Sequence, residues 1–164
     1  MIFRKMVAGD AAAYTEMATD FYSSPAVLHS IPQSYIENTA KAVLDGTPFA
    51  DIYIFEENGI AVGYGLLALT HSQEAGGLVC WLEELYVKPS LRGKGVGGAF
   101  LDFIKREVPA ARYRLEVEPD NARVKALYER NGFSPLGYES YVLENGHERA
   151  EFFAQNGEKC RDGC

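Results

Sequence analysis

Apolar and polar positions recur along this chain with two periods, two and about 3.6 residues, and the switches between them predict its elements. Residues 2–7 read as a first strand, which Gly9-Asp10 ends, and Asp10 is placed to cap a helix reaching Phe21 or Tyr22. Ser23-Ser24-Pro25 breaks that helix, and the loop-like link over 23–31 carries His29. Pro32 fits the first turn of a second helix over 33–44, with Ile36, Ala40, Val43 and Leu44 on one stripe and Gly46 as its stop. Strands follow over 51–55 and 60–69, joined through Asn58-Gly59, a strong hairpin signal. Glu74-Ala75-Gly76-Gly77 turns the chain into another strand over 78–87, so the three form an antiparallel meander.

The stretch Leu85-Tyr86-Val87-Lys88-Pro89-Ser90-Leu91-Arg92-Gly93-Lys94-Gly95-Val96-Gly97-Gly98-Ala99-Phe100 organises the rest. An apolar run stops at Lys88-Pro89, a basic glycine-rich turn follows, and from Val96 the apolar residues return at helical spacing, at Phe100, Phe103 and Ile104. Gly93, Gly95, Gly97 and Gly98 carry no Cβ to keep a ligand away, so backbone N–H groups can converge at the positive end of a helix. Arg92 and Lys94 add full charges beside that anion cradle, and Arg can fork across a phosphate. A P-loop is excluded, because Gly93-Lys94 is followed by Gly95 and position 88 is Lys where that motif needs Gly. A dinucleotide fingerprint is nominally present as Gly93-x-Gly95-x-x-Gly98, with Glu116 and Glu118 downstream to hold a ribose. It fits badly, since Lys88 to Arg92 separate the strand from the first glycine and the unit sits past the middle of the chain.

The helix from Val96 runs to about Glu107 and stops before Pro109. A strand is predicted over 112–118, then a helix capped by Asp120-Asn121 and ending near Asn131-Gly132. A late strand over 138–143, the turn Glu144-Asn145-Gly146 and a returning strand over 147–153 complete the order β-α-α-β-β-β-α-β-α-β-β. Residues 155–164 have no apolar pattern and read as a frayed tail beyond a single domain over 1–154.

Composition narrows the function. The 164 residues, 47% hydrophobic and 24% charged, suit one globular domain. No run of about 18 apolar residues exists and the N-terminus lacks a signal-peptide pattern, which predicts a cytoplasmic protein without a membrane partner. Cys80, Cys160 and Cys164 cannot form a closed disulfide set, and His29, His71 and His147 lack metal-ligand spacing, so no metal is expected. A net charge of −7 argues against nucleic acid, while the basic island of Lys88, Arg92 and Lys94 suits a discrete anionic ligand.

Arg92-x-x-Gly95-x-Gly97, with Glu84 to Pro89 leading in as E-L-Y-V-x-P, resembles the pyrophosphate loop of the GNAT superfamily of N-acetyltransferases, and the order of elements is similar as well. Leu82-Glu83-Glu84 resembles the Leu-Glu-Asp of the diamine (spermidine/spermine) acetyltransferases. The resemblance implies an α/β (α+β) GNAT fold: a mixed, mostly antiparallel sheet of about seven strands flanked by about four helices. It further implies acetyl-CoA as cosubstrate, with no metal, and the primary amine of a small molecule as acceptor; a homodimer is compatible with it. The fourth strand then splays from the fifth and offers the backbone of Leu85, Tyr86 and Val87 to the pantetheine arm, with the Leu85 N–H as oxyanion donor. Arg92, Gly93, Lys94, Gly95, Val96, Gly97 and Gly98 would hold the pyrophosphate, with Asn121 and Val124 beside them, Asn121 as helix cap, pantetheine contact or both. Tyr128, in Leu127-Tyr128-Glu129-Arg130-Asn131-Gly132-Phe133, resembles the family's general acid, and its other reading is a core tyrosine. Glu83 and Glu84 are both candidates for the group that takes the amine proton, one on each face of the strand or simply solvated. A non-catalytic CoA-binding module, or a protein N-terminal or lysine acetyltransferase, is the alternative.

Overall fold

Strand alternation sorts the side chains of residues 50–57 onto two faces, and both faces are buried: Ile52 and Ile54 join one apolar cluster, Tyr53 and Phe55 the other. The computed structural model describes residues 1–25, 27 and 29–143. Two units are distinguished, Met1–Ser134 and Pro135–Cys164. The first contains β1 (Ile2–Lys5), α1 (Ala11–Tyr22), α2 (Gln33–Leu44), β2 (Ala50–Glu57), β3 (Ile60–Ser72), β4 (Gly77–Val87), α3 (Val96–Glu107), β5 (Arg112–Leu115) and α4 (Ala122–Arg130). Short 3-10 turns precede α1 at Ala8–Asp10 and follow β4 at Pro89–Leu91.

The strands form one sheet in the order β1-β2-β3-β4-β5, antiparallel except for the parallel β4–β5 pair. Asn58 (φ 52°) and Gly59 (φ 77°) make the β2–β3 hairpin, both in the left-handed region its tight turn requires. On one face, Tyr14, Met17 and Ala18 of α1 and Ile36 and Ala40 of α2 pack against Ile52, Ile54, Tyr64, Leu66 and Tyr86. On the other, Val96, Phe100, Leu101 and Ile104 of α3 and Tyr128 of α4 pack against Tyr53, Phe55, Leu67, Cys80 and Leu82. Phe100, fully buried, sits where a Cβ on Gly65 would be 2.3 Å from its ring, so the glycine in β3 is what lets α3 approach the sheet.

Asp10 occupies the residue before α1, but its carboxylate does not cap the helix. It accepts instead from the Val7 N–H at 2.8 Å and from both Arg4 terminal nitrogens at 2.7 and 2.9 Å. That Arg4 hydrogen bonding holds the Asp10 carboxyl below its ordinary pKa. The strand expected over 112–118 ends at Leu115, three residues early, because pairing with β4 stops there. The described residues thus hold five strands, not seven. No strand forms over 138–143: Tyr138, Tyr141, Val142 and Leu143 are all exposed, and a strand exists only through pairing, which none of the described residues provides. The partner expected over 147–153, the turn before it and the tail from 155 lie outside the described residues. Among the described residues no helix is long and apolar enough to cross a membrane.

Candidate active site

β4 and β5 pair from Val79↔Arg112 to Leu82↔Leu115, after which β5 ends and β4 continues to Val87 paired with β3 alone among the described residues. The sheet therefore opens into a fork at Glu83. Its free side can be assigned from two hydrogen bonds. The Lys88 N–H donates to Val62 O on the β3 side, and Val87 O accepts from Arg92 Nε at 2.8 Å on the other. Backbone direction alternates along an antiparallel strand, so the Leu85 and Val87 N–H groups point with Val87 O, away from β3 and into the fork.

The fork opens onto a cleft of about 780 Å³. The glycine-rich turn forms one wall. Gly93 and Gly95 have φ of 79° and 82°, left-handed values that suit glycine, and Gly95 is the residue from which α3 starts. The first intrahelical bond runs from the Ala99 N–H to Gly95 O at 3.0 Å. The N–H groups of Val96, Gly97 and Gly98 thus precede the hydrogen-bonded ladder at the positive end of α3. A Cβ on Gly97 would approach Leu127 at 3.3 Å and Leu85 at 3.5 Å, so that glycine also brings α3 close to α4 and β4. Arg92 lies over the Tyr86 ring, 5.6 Å from its centroid, and Arg123 and Arg130 of α4 line the same cleft. Glycines without Cβ, unladdered N–H groups and three guanidinium groups fit a diphosphate-bearing ligand, and the bare β4 edge fits an amide-bearing chain laid alongside it.

α4 brings Tyr128 to this cleft. Asn121 Oδ1 accepts from the Val124 N–H at 3.2 Å, capping the helix while lining the cleft. At the other end Gly132 (φ 86°) follows the helix, with Gly132 N–H donating to Glu129 O and Phe133 N–H to Tyr128 O, both at 3.0 Å. This is a Schellman ending, whose usual apolar contact is made by Phe133 against the Tyr128 ring at 5.8 Å. The Gly-Phe pair thus fixes the tyrosine. Tyr128 is 8% exposed, and its hydroxyl hydrogen-bonds to no other described residue. Burial lifts its pKa to about 12, so the phenol keeps its proton at neutral pH.

Glu83 and Glu84 separate at a β-bulge. Leu67 faces Leu82 and Leu66 faces Glu84, so Glu83 is the extra residue in β4. The bulge resets the alternation: Leu82 packs with α3, whereas Glu84 and Tyr86 face α1. Glu84 is buried and accepts from Tyr22 Oη at 2.7 Å and Tyr64 Oη at 2.6 Å. Burial raises its pKa, and the two hydroxyls pull the other way. Glu83 is exposed at the closed end of the fork. The surrounding chain still strips water from its carboxyl, and that desolvation, with the negative charges of Glu116 and Glu84, raises its pKa.

A profile of the acetyltransferase (GNAT) family matches residues 12–133, which include the whole fork, the glycine turn and α4. The chain belongs to this family. The uncharacterised N-acetyltransferase YhfO of Bacillus subtilis (strain 168) is 34% identical over 96 residues, 56% of this chain and 64% of that protein. The thialysine N-ε-acetyltransferase of Sus scrofa is 31% identical over 90 residues, 51% of this chain and 52% of that protein. Matches thus cover less than two thirds of the curated relatives' length. An aminoglycoside acetyltransferase solved with a CoA bisubstrate analogue shares the fold, with TM-score 0.74 at 15% identity over 88% of this chain and 98% of that one.

Of the residues expected to form the family's site, Leu85, Tyr86, Val87, Arg92, Gly93, Gly95, Val96, Gly97, Gly98, Asn121, Val124 and Tyr128 line one cleft. Lys94 is exposed and does not line it, since the loop turns that side chain outward. Glu83 and Glu84 lie at the closed end of the fork and behind β4, outside the lining. Sequence reasoning missed Arg123 and the end of α1, where Phe21, Ser24 and Pro25 complete the wall. Charge at helical spacing inside α4 was the available signal for Arg123. Ser23-Ser24-Pro25 marked where α1 stops, but nothing local showed that this end lines the cleft, which it reaches only through tertiary packing.

Proposed function

We propose that this protein is an acetyl-CoA-dependent N-acetyltransferase that moves the acetyl group directly to a primary amine of a small molecule. One observation carries the proposal: the β4–β5 fork brings the glycine turn, the inward N–H of Leu85 and the hydroxyl of Tyr128, which has no hydrogen-bond partner among the described residues, to a single cleft. When bound, acetyl-CoA supplies an acetyl thioester. The α3 N-terminus, Arg92 and Arg123 hold the diphosphate, and the bare β4 edge aligns the arm. The Leu85 N–H donates to the thioester oxygen as negative charge develops there. Glu83, reachable from solvent and with a raised pKa, takes the proton of the attacking amine, directly or through water. Glu84 is excluded from that role by its two phenolic donors. Tyr128 Oη gives its proton to the departing sulfur.

Glu83, Glu116, Glu118 and Asp120 crowd the fork with negative charge, which favours a cationic amine. That the thialysine acetyltransferase and the aminoglycoside enzyme are each named for amine substrates supports the same class. A cytoplasmic setting belongs to the proposal, because Cys80 is a free thiol and acetyl-CoA is a cytoplasmic metabolite. The test is thiol release from acetyl-CoA over a panel of polyamines, aminoglycosides, amino acids and peptide N-termini. Release that requires an amine, with acetylated product detected by mass spectrometry, is expected. CoA binding without amine-dependent release would make the chain a CoA-binding module.

A further inference from the structure

The last turn of α1 is tied to β4 by hydrogen bonds that acetyl transfer, as described above, does not use. Tyr22 Oη donates to Glu84 Oε1 at 2.7 Å, and Tyr86 Oη donates to Asp20 Oδ2. The other Glu84 oxygen accepts from Tyr64 at 2.6 Å, and Tyr64 in turn stacks on Tyr86 and meets Tyr14 edge-on at 5.0 Å. A carboxylate at 7% exposure within this layer of rings is costly unless both oxygens are satisfied, and here both are. An apolar residue would serve the core as well, so a buried carboxyl held by two hydroxyls points to a positional demand. Immediately beyond Tyr22 the chain turns, with Ser24 Oγ and Ser24 N–H both donating to Phe21 O, and Phe21, Ser24 and Pro25 line the cleft together with Leu85, Tyr86 and Val87. The glycine cradle stands on α3, which packs on the opposite face of the sheet.

We infer that Tyr22 and Glu84, with Asp20 and Tyr86 beside them, are positioning residues that lock the end of α1 as the acceptor-side wall of the cleft and so limit the size of the amine that reaches the fork. The inference rests on the cleft being an amine-acetylation site. Glu84 acts here through the tyrosines, not on the reacting atoms. Tyr22→Phe keeps the ring and deletes one donor, leaving the cradle on α3 untouched. The lock therefore predicts a split: the KM for a small amine rises roughly tenfold, the scale of one hydrogen bond to a charged group, while the KM for acetyl-CoA stays at the parent value. Bulky amines gain in kcat/KM relative to small ones. Asp20→Asn, which retains an acceptor oxygen for Tyr86, stays close to the parent.

Amide hydrogen exchange over residues 19–25, compared in the parent and Tyr22→Phe, reads the lock without any turnover. Faster exchange confined to that segment is expected. Unchanged exchange, or a rise in both KM values together with a lower Tm, overturns the inference. A parent protein that acetylates no amine would remove the proposed function, and exchange alone would then decide whether α1 is held by these bonds.

Discussion

Glu83 owes its raised pKa to poor hydration and to two neighbouring negative charges, those of Glu116 and Glu84. A general base works only when deprotonated, so the acid limb of kcat/KM assigned to Glu83 lies above the ordinary glutamate value of 4.5. Removing the negative charge of Glu116 favours the ionised form of Glu83 and lowers its pKa. The Glu116→Gln variant, compared with the parent on the same amine so that the amine's own ionisation cancels, should show that limb displaced to lower pH. An unmoved limb would take Glu83 out of the proton path. That neither glutamate could be preferred from sequence has a physical reason: alternation predicts opposite faces for neighbours, but a bulge, which decides which of them is buried, is set by pairing with Leu66 and Leu67. The phenols that hold Glu84 lie 62 and 20 residues away along the chain, and no local pattern announces such partners.

Among the elements, α3 shows how closely fold and site are joined. Its N-terminus is the proposed anion cradle, and its position is set by Phe100, which packs at 4.6 Å on Phe55 and 5.4 Å on Phe3 over the bare backbone of Gly65. A methyl group at position 65 would meet the fully buried Phe100 ring at 2.3 Å, with no room for the ring to yield. Gly65→Ala should therefore cost about 1–3 kcal/mol, the usual range for an overpacked core, read as a lower urea midpoint. It should also raise the KM for acetyl-CoA, because the cradle moves with the helix. Unaltered stability would mean that α3 is anchored elsewhere. The boundaries of α2, the Asn58-Gly59 hairpin and the glycine turn into α3 were legible in the residues because each depends on local chemistry. Gly63 and Gly65 gave no such signal, for their role is close approach by distant groups, a Tyr86 carbonyl and a Phe100 ring. The expected strand over 138–143 failed for the same reason, since alternation alone does not supply a partner.

At the scale of the molecule, the sheet keeps two tasks apart: α3 and α4 on one face carry the cradle and Tyr128, while α1 on the other closes the far wall, and the β4–β5 fork joins them. The fork is where the acetyl group is proposed to change hands. The most direct measurement is single-turnover acetyl transfer by Tyr128→Phe at saturating substrates, alongside the variant's Kd for acetyl-CoA. The ring and its contact with Phe133 persist in that variant, so folding and cofactor affinity should be retained. The chemical step should slow by about 10²- to 10⁴-fold, the usual worth of a general acid. A rate within about threefold of the parent, well below that range, would contradict the account and leave Tyr128 as a residue of the core.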